Sequence, residues 1–356
     1  MSEELHSDPL TASLYKTLKR HPKRIVFADG EDTRVIRVAA RMVKMEIAAP
    51  ILIGNRERIH SLAEEHSTPM TFISVIDPNT SSDLDLFCDR LQKVTRYRGQ
   101  EIADPRDIVS RPHNFAAMMI QYGHADAMIA GNKSLAASVF RAAITMIKPV
   151  PKVPQVFGAM VLTAPKIAKF GRDGILFMAD CGVIPDPDVK QLASIAVETG
   201  KLAHHFLGRR PRVAMLSHST HGSAQTASAK KVIAATELAR QQIRAEMLDI
   251  DLDGEIQADV ALDNSTAEIK VLDARAKEPA DVLVYPNLDA GHISLKLLEQ
   301  LAGARGYGQL IMGLTRPAAQ VSRSVSEDAL MGTAAILGAE AIKSHDLRLE
   351  KLKVKN

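Results

Sequence analysis

Two loops stand where apolar runs end, one rich in hydroxyls and glycine and one rich in aspartate and proline, and the first has the makeup of an anion site. In Gly208–Ser223 (GRRPRVAMLSHSTHGS) the apolar run Val213–Leu216 breaks into Ser217, His218, Ser219, Thr220, His221, Gly222 and Ser223. A strand opening into such a loop presents hydroxyls and backbone N–H groups to a negative ligand. Ser217, Ser219, Thr220 and Ser223 are therefore candidate substrate contacts. In Phe177–Leu192 (FMADCGVIPDPDVKQL) a strand ends at Asp180-Cys181, Pro185-Asp186-Pro187 turns the chain, and a helix starts near Val189. Two such strand-end loops predict a crevice at the carboxyl edge of a sheet, where α/β folds bind small charged ligands. His218 and His221 stand three apart, but no third ligand follows at metal-site spacing, so no metal is expected. Cys181 at a strand end lacks the paired base a thiol nucleophile needs.

The elements that position these residues alternate between strand and helix. Lys23–Ala28, Ala49–Ile53, Phe72–Ile76, Ala127–Ala130, Gly174–Met178, Val213–Leu216, Val282–Tyr285 and Gln309–Met312 read as strands. Helices are predicted from about Thr33, over Ser82–Arg96, over Asn114–Tyr122, and from about His292 after the loop Pro286–Gly291. This order implies a mostly parallel sheet flanked by helices. Within Gly254–Asp263 the carboxylates at 255, 259 and 263 are four apart, which on a helix would put them on one face. The Pro-rich Lys148–Pro154 (KPVPKVP) is the expected domain crossing.

Composition sets the outer bounds. A chain of 356 residues is long for one core and suggests two domains. A net charge of +3 gives no overall basic field, so no nucleic-acid partner is expected. Two cysteines, Cys88 and Cys181, offer no disulfide framework and suit a reducing cytosol. No apolar run reaches membrane-spanning length, and the acidic, polar start MSEELHSDPL is unlike a signal peptide. The expectation is a cytoplasmic protein with no membrane partner.

The motifs PRVAMLSHSTHGS, FMADCGVIPDPDVKQLASIA, DGEIQAD, PNLDAGHIS and GYGQLIMGLTRPAAQVSR closely resemble those of the phosphate acetyltransferases. RIVFADGEDTRVIRVA, APILIGN and GHADAMIAGN extend the resemblance over nearly the whole chain. That family also holds phosphate butyryltransferases, ethanolamine-utilisation acetyltransferases and the carboxy-terminal regulatory domain of hybrid malic enzymes. The resemblance implies two α/β domains with a cleft between them, similar to the isocitrate and isopropylmalate dehydrogenases. Domain one would be split, 1–150 plus 310–356, with 151–309 as domain two. It further implies a homodimer that moves an acetyl group reversibly between coenzyme A and inorganic phosphate. Coenzyme A, acetyl phosphate and phosphate would be substrates, with no cofactor, no metal and no acyl-enzyme.

Such chemistry needs a base for the thiol, donors for the carbonyl oxyanion and a cationic fork for phosphate. By the resemblance, Ser322 orients the thiol or acyl oxygen, Arg323 meets the carbonyl oxygen or phosphate, and Arg141 holds phosphate or the coenzyme A pyrophosphate. Arg96 and Arg98 answer loosely to a basic cluster that helps bind substrate. The family's base is an aspartate after the Ser-Arg pair. A gapless match puts Ala329 there, with Asp328 one position early and about 100° around a helix. A one-residue deletion before the helix instead keeps Asp328 in register as the base, with Ser326 as N-cap. Three alternatives stand beside acetyl transfer. They are transfer of propionyl or butyryl groups, a non-catalytic acetyl-CoA-binding module, which Ala329 would explain, and a dehydrogenase, whose metal-binding aspartates are not legible.

Overall fold

The computed structural model describes residues 8–97, 102–151, 153–164, 167, 170–271 and 278–353. Its contacts divide the chain into one unit of residues 1–150 and 314–356 and another of 151–313. The chain leaves the first unit after Val150, inside the Pro-rich stretch, and returns at Leu314.

The first unit opens with α1 (Pro9–Arg20), β1 (Lys23–Phe27), α2 (Thr33–Lys44), β2 (Ala48–Ile53), α3 (Arg56–Glu65) and β3 (Ser74–Ile76). It continues with α4 (Leu84–Tyr97), α5 (Pro105–Ser110), α6 (Pro112–Gln121), β4 (Ala127–Ala130) and α7 (Ala136–Met146). The second unit runs β5 (Phe157–Thr163), β6 (Ile175–Ala179), α8 (Val189–Leu207), β7 (Arg212–Leu216), α9 (Ala227–Ala245) and β8 (Asp251–Ile256). Then come α10 (Ala258–Leu262), α11 (Asn264–Lys270), β9 (Val282–Val284), α12 (Leu288–Leu301) and β10 (Arg305–Met312). β11 (Ala318–Gln320) and α13 (Glu327–Lys353) return to the first unit.

In the first unit the strands lie in the order β3-β2-β1-β4-β11, every neighbouring pair parallel. Order reverses at β1, so the loops leaving β1 and β4 diverge and open a crevice at the carboxyl edge. Burial on both faces explains the continuous apolar runs: Ile25, Val26 and Phe27 of β1 and Ala127–Ala130 of β4 are at most 1% exposed. α2 starts where Asp32 caps it by accepting from the Arg34 N–H at 2.9 Å, and it buries Val35, Ile36, Val38, Ala39 and Met42. Arg34, Arg37 and Arg41, at i, i+3 and i+7, are left on another stripe of the same helix.

The second unit's strands run β10-β5-β6-β9-β7-β8, antiparallel across β10/β5 and β5/β6 and parallel from β6 onward. α8 begins with a full capping box, Asp188 and Gln191 each bonding the other's backbone. Several sequence expectations need correction here. The carboxylates at 255, 259 and 263 share no helical face, because Glu255 closes β8, Asp259 sits in α10 and Asp263 caps α11. β8 (DLDGEI) forms despite its polar sequence because β7 supplies a parallel ladder, a tertiary effect that outweighs propensity. Phe72 lies outside β3, 84% exposed at φ 61°. α12 starts four residues earlier than expected, capped by the Asn287 side chain on the Ala290 N–H.

Among the residues with positive φ, Met247 carries avoidable strain. Met247, just past the end of α9, holds φ 50° and is 90% exposed. A left-handed conformation costs a side-chain-bearing residue about 1–2 kcal/mol, part of which glycine returns in unfolded-state entropy. Met247→Gly is expected to stabilise the second unit by roughly 0.5–1 kcal/mol, read as a shifted urea midpoint at unchanged slope.

Candidate active site

The carboxyl edge of the first unit's sheet gathers three loops, one after each of β1, β4 and β11. Asp29 follows β1 and is 8% exposed; it accepts the Gly131 N–H and the Ser134 hydroxyl, each at 2.7 Å, tying the β1 loop to the β4 loop. Gly131 is required there: its φ is 122°, and a Cβ would lie 2.2 Å from the Val321 carbonyl. Lys133 reaches back to the Glu31 carbonyl at 2.9 Å. After β11 the chain makes a tight turn, the Val325 N–H donating to the Ser322 carbonyl at 3.0 Å. The Ser322 hydroxyl accepts from the Ser324 N–H at 3.2 Å and lies 2.9 Å from the Ser324 hydroxyl. Ser322, Arg323 and Ser324 are all exposed, and the Arg323 guanidinium has no partner among the described residues. An unengaged cation thus stands between two hydroxyl residues in sequence, on a turn closed by a backbone bond.

Arg34 joins these loops. Its Nε and Nη2 fork onto the Asp32 carboxylate at 3.0 and 2.7 Å, and its Nη1 donates to the carbonyls of Arg323 at 2.9 Å and Val325 at 2.8 Å. Burial alone would raise the Asp32 pKa, but its hydrogen bonds and charge contact with Arg34 hold it below the usual carboxylate range. α13 then starts with Ser326 as N-cap, its hydroxyl accepting the Ala329 N–H at 3.2 Å. The two acids of its first turn meet the stripe on α2: Arg37 bonds Glu327 at 2.9 Å and Arg41 bonds Asp328 at 3.2 Å. Asp328 therefore stands against α2, and Ala329, 8% exposed, is buried.

Arg141 occupies a different part of the same unit. With Arg111, His113, Asn114 and Ser138 it lines a cavity of about 200 Å³ whose lining also includes the apolar Leu91 and Met146. Arg141 is exposed and unpartnered among the described residues, whereas Arg111 pairs with Asp107 at 2.6 Å. Burial pushes the His113 pKa below the usual imidazole range, leaving a neutral ring beside two guanidinium groups. A lining that mixes guanidinium groups with apolar side chains suits an anion that also carries hydrocarbon. Arg96 is exposed near the end of α4 and is not part of this lining; Arg98 lies outside the described residues.

In the second unit the serine-rich loop is spent on its own architecture. Ser219 is fully buried; its hydroxyl donates to Glu255 at 2.7 Å and accepts the Ala224 N–H at 3.0 Å. Ser217 accepts the Ser219 N–H, Ser223 accepts the Thr220 N–H, and Thr220 accepts the Gln257 N–H. The hydroxyls of Ser219 and Thr220 are thus engaged within the unit, because a tight strand-end loop must satisfy its own buried N–H groups. Ser223 keeps an exposed edge and Ser217 a partial one. Ser219→Ala strips a bond from the buried Glu255 carboxylate and orphans an N–H. It is expected to cost about 1–3 kcal/mol of stability while KM for coenzyme A stays within about twofold, read by denaturation and steady-state kinetics. Asp180 is likewise structural: it accepts N–H groups from Gly158, Gly182, Val183 and Ile184, and burial raises its pKa against those four bonds. Cys181 is buried, and burial pushes its thiol far above the usual range. His221 pairs with Asp253 at 3.1 Å and His218 faces Thr226 at 3.3 Å. Among the described residues no three His, Cys, Asp or Glu side chains converge as for a metal.

Sequence reasoning missed Arg34, Asp29 and His113. The i, i+3, i+7 arginines of TRVIRVAAR were the available signal for the first, since a charged stripe on a helix entering a sheet edge needs a partner.

The chain belongs to the phosphate acetyl/butaryl transferase family, whose model matches residues 10–338. It is thereby an acyltransferase enzyme. A phosphate acetyltransferase of Acetivibrio thermocellus is 35% identical over 91% of this chain and 95% of its own length. Among solved structures, a phosphotransacetylase from Streptococcus pyogenes matches with TM-score 0.83 at 30% identity, covering 93% of this chain and 99% of that one. A Salmonella typhimurium protein assigned as a 4-hydroxythreonine-4-phosphate dehydrogenase matches with TM-score 0.51 at 14% identity over 90% of this chain and 99% of that one, a likeness of fold alone.

Proposed function

We propose that this enzyme moves an acetyl group reversibly between coenzyme A and inorganic phosphate, with coenzyme A as a substrate and no cofactor. The observation that carries the reading is the exposed Arg323, without a side-chain partner among the described residues, next in sequence to Ser322 on the turn after β11. In the thioester-forming direction the coenzyme A sulfur attacks the carbonyl carbon of acetyl phosphate. The carbonyl oxygen becomes an oxyanion facing Arg323, the carbon–oxygen bond to phosphate breaks, and phosphate leaves. Ser322 orients the thiol, and Asp328 takes its proton by exchanging Arg41 for the sulfur. That pair is partly exposed, at 26% and 36% for the two side chains, so releasing it costs on the order of 1 kcal/mol or less. Arg141, in the cavity described above, holds the coenzyme A pyrophosphate.

The test is thioester formation from acetyl phosphate and coenzyme A by purified protein, with propionyl and butyryl phosphate alongside. Turnover fastest with acetyl phosphate sustains the reading. Acetyl-CoA binding without turnover replaces it with a regulatory module, the reading that buried Ala329 favours. We further propose a homodimer in the cytoplasm. The free cysteines Cys88 and Cys181 suit a reducing compartment, and no helix among the described residues is long and apolar enough to cross a membrane. Ile293, Leu297 and Leu301 form an exposed stripe at i, i+4 and i+8 on α12, 58%, 51% and 82% exposed, which a second copy would cover. Leu297→Glu is expected to halve the mass found by sedimentation; an unchanged mass would move the interface elsewhere.

A further inference from the structure

We propose that Arg34 is a positioning residue, which sets the turn carrying Ser322 and Arg323 by gripping its two carbonyl oxygens from the amino end of α2. The inference rests on acetyl transfer at this turn as proposed above.

A guanidinium has five N–H donors in one plane, and the structure gives all five of Arg34 an oxygen. Nε and Nη2 use one each on Asp32 at 3.0 and 2.7 Å, and Nη1 uses two on the carbonyls of Arg323 and Val325 at 2.9 and 2.8 Å. The second Nη2 donor points to the Asn132 carbonyl at 3.5 Å, a long contact. Asp32 is itself fixed, 6% exposed and bonded to the Arg34 N–H at 2.9 Å. One planar group thus ties the loops after β1, β4 and β11 into a single frame. The frame matters because Ser322 and Arg323 are exposed and Arg323 has no side-chain partner among the described residues. The turn's internal bonds, Val325 N–H to the Ser322 carbonyl and Ser324 N–H to the Ser322 hydroxyl, shape it but anchor it to nothing. Val321 is anchored to the Ala130 carbonyl at 2.8 Å, and α13 begins at Glu327. Between those points Arg34 holds the carbonyls of the residues at 323 and 325, on either side of Ser324. Lysine cannot replace it, since three donors on one nitrogen cannot chelate Asp32 and span two carbonyls. A shift near 1 Å in a reacting group costs on the order of a hundredfold in rate, so loosening the turn should appear in kcat before KM.

The experiment compares wild type with Arg34→Met, Arg34→Lys, Arg323→Ala and the double variant Arg34→Met/Arg323→Ala. Arg34→Met is expected to lose about 10- to 100-fold in kcat with KM for both substrates within about threefold, and Arg34→Lys to recover little. The double variant should be no slower than Arg323→Ala alone, because Arg34 acts through the turn that Arg323 occupies. Hydrogen exchange of the peptide spanning 321–326 should speed up in Arg34→Met while β1 and β4 stay protected. Independent, multiplying losses in the double variant, or an unchanged exchange rate at 321–326, would overturn the proposal. If Arg34→Met fails to fold, Asp32→Asn, which frees the guanidinium while keeping its size, carries the same predictions. If wild type turns over no acyl phosphate, the acetyl-transfer reading fails, and exchange at 321–326 still decides whether Arg34 holds the turn.

Discussion

Arg323→Ala should lower kcat for thioester formation by about a thousandfold while the protein stays folded to the same temperature. The side chain is exposed and bonds nothing among the described residues, so its removal leaves no buried group unsatisfied. What is lost is the positive charge opposite the oxyanion, whose value is largest in the transition state and shows in kcat more than in KM. Arg323→Lys should recover only part of the rate, since an ammonium keeps the charge but not the planar fork. Retention of most activity in Arg323→Ala would remove this turn from the chemistry and shift attention to Arg141.

Asp328→Asn is the second large expectation, a loss of at least about a hundredfold in kcat. The structure sharpens what this variant decides. Asp328 accepts from Arg41 at 3.2 Å, and Arg41 also lies 3.9 Å from Glu327, so the acid sits in a small ionic lattice between α13 and α2. If that lattice is only a clamp, Asp328→Asn and Arg41→Ala will both cost about 1 kcal/mol or less of stability and leave kcat within a few fold. If Asp328 is the base, Arg41→Ala spares kcat while Asp328→Asn destroys it. Stopped-flow turnover at saturating coenzyme A separates the outcomes.

Much of the architecture was legible from local chemistry. KRIVF, APILI and AMIA are short apolar runs closed by Gly, Asn and Asp, the mark of strands buried on both faces, and each became a strand of the first sheet. Turn and cap signals also carried: Pro185-Asp186-Pro187 did precede a helix at Val189, and Ser326 did cap α13. The failures have a common cause. β5, β8 and β11 escaped notice because their identity comes from neighbours: FGAMVLT has no alternation, DLDGEI is polar, and AAQ is too short to signal. The site divided in the same way. Ser322 and Arg323 could be proposed by motif, but Asp328 could not be oriented from sequence, since 100° of helix rotation depends on which helix it faces. The hydroxyls of Ser219 and Thr220 looked available only because the buried Glu255 and the Gln257 N–H that claim them lie 36 and 37 residues downstream.

The split of the first unit has a consequence for how the protein is made. Residues 151–313 are one unbroken segment, and a ribosome delivers them before β11 and α13 exist. Until then β4 is an unpaired sheet edge, and the surface that will take Leu330, Met331, Ala334 and Ile336, each at most 0% exposed once packed, is bare. The second unit can therefore fold ahead of a first unit that waits for its last strand and longest helix. The turn bearing Ser322 and Arg323 arrives with that same late segment. Nascent chains stalled before residue 320 should hold a protease-resistant second unit, a sticky first unit, and no transferase activity at all.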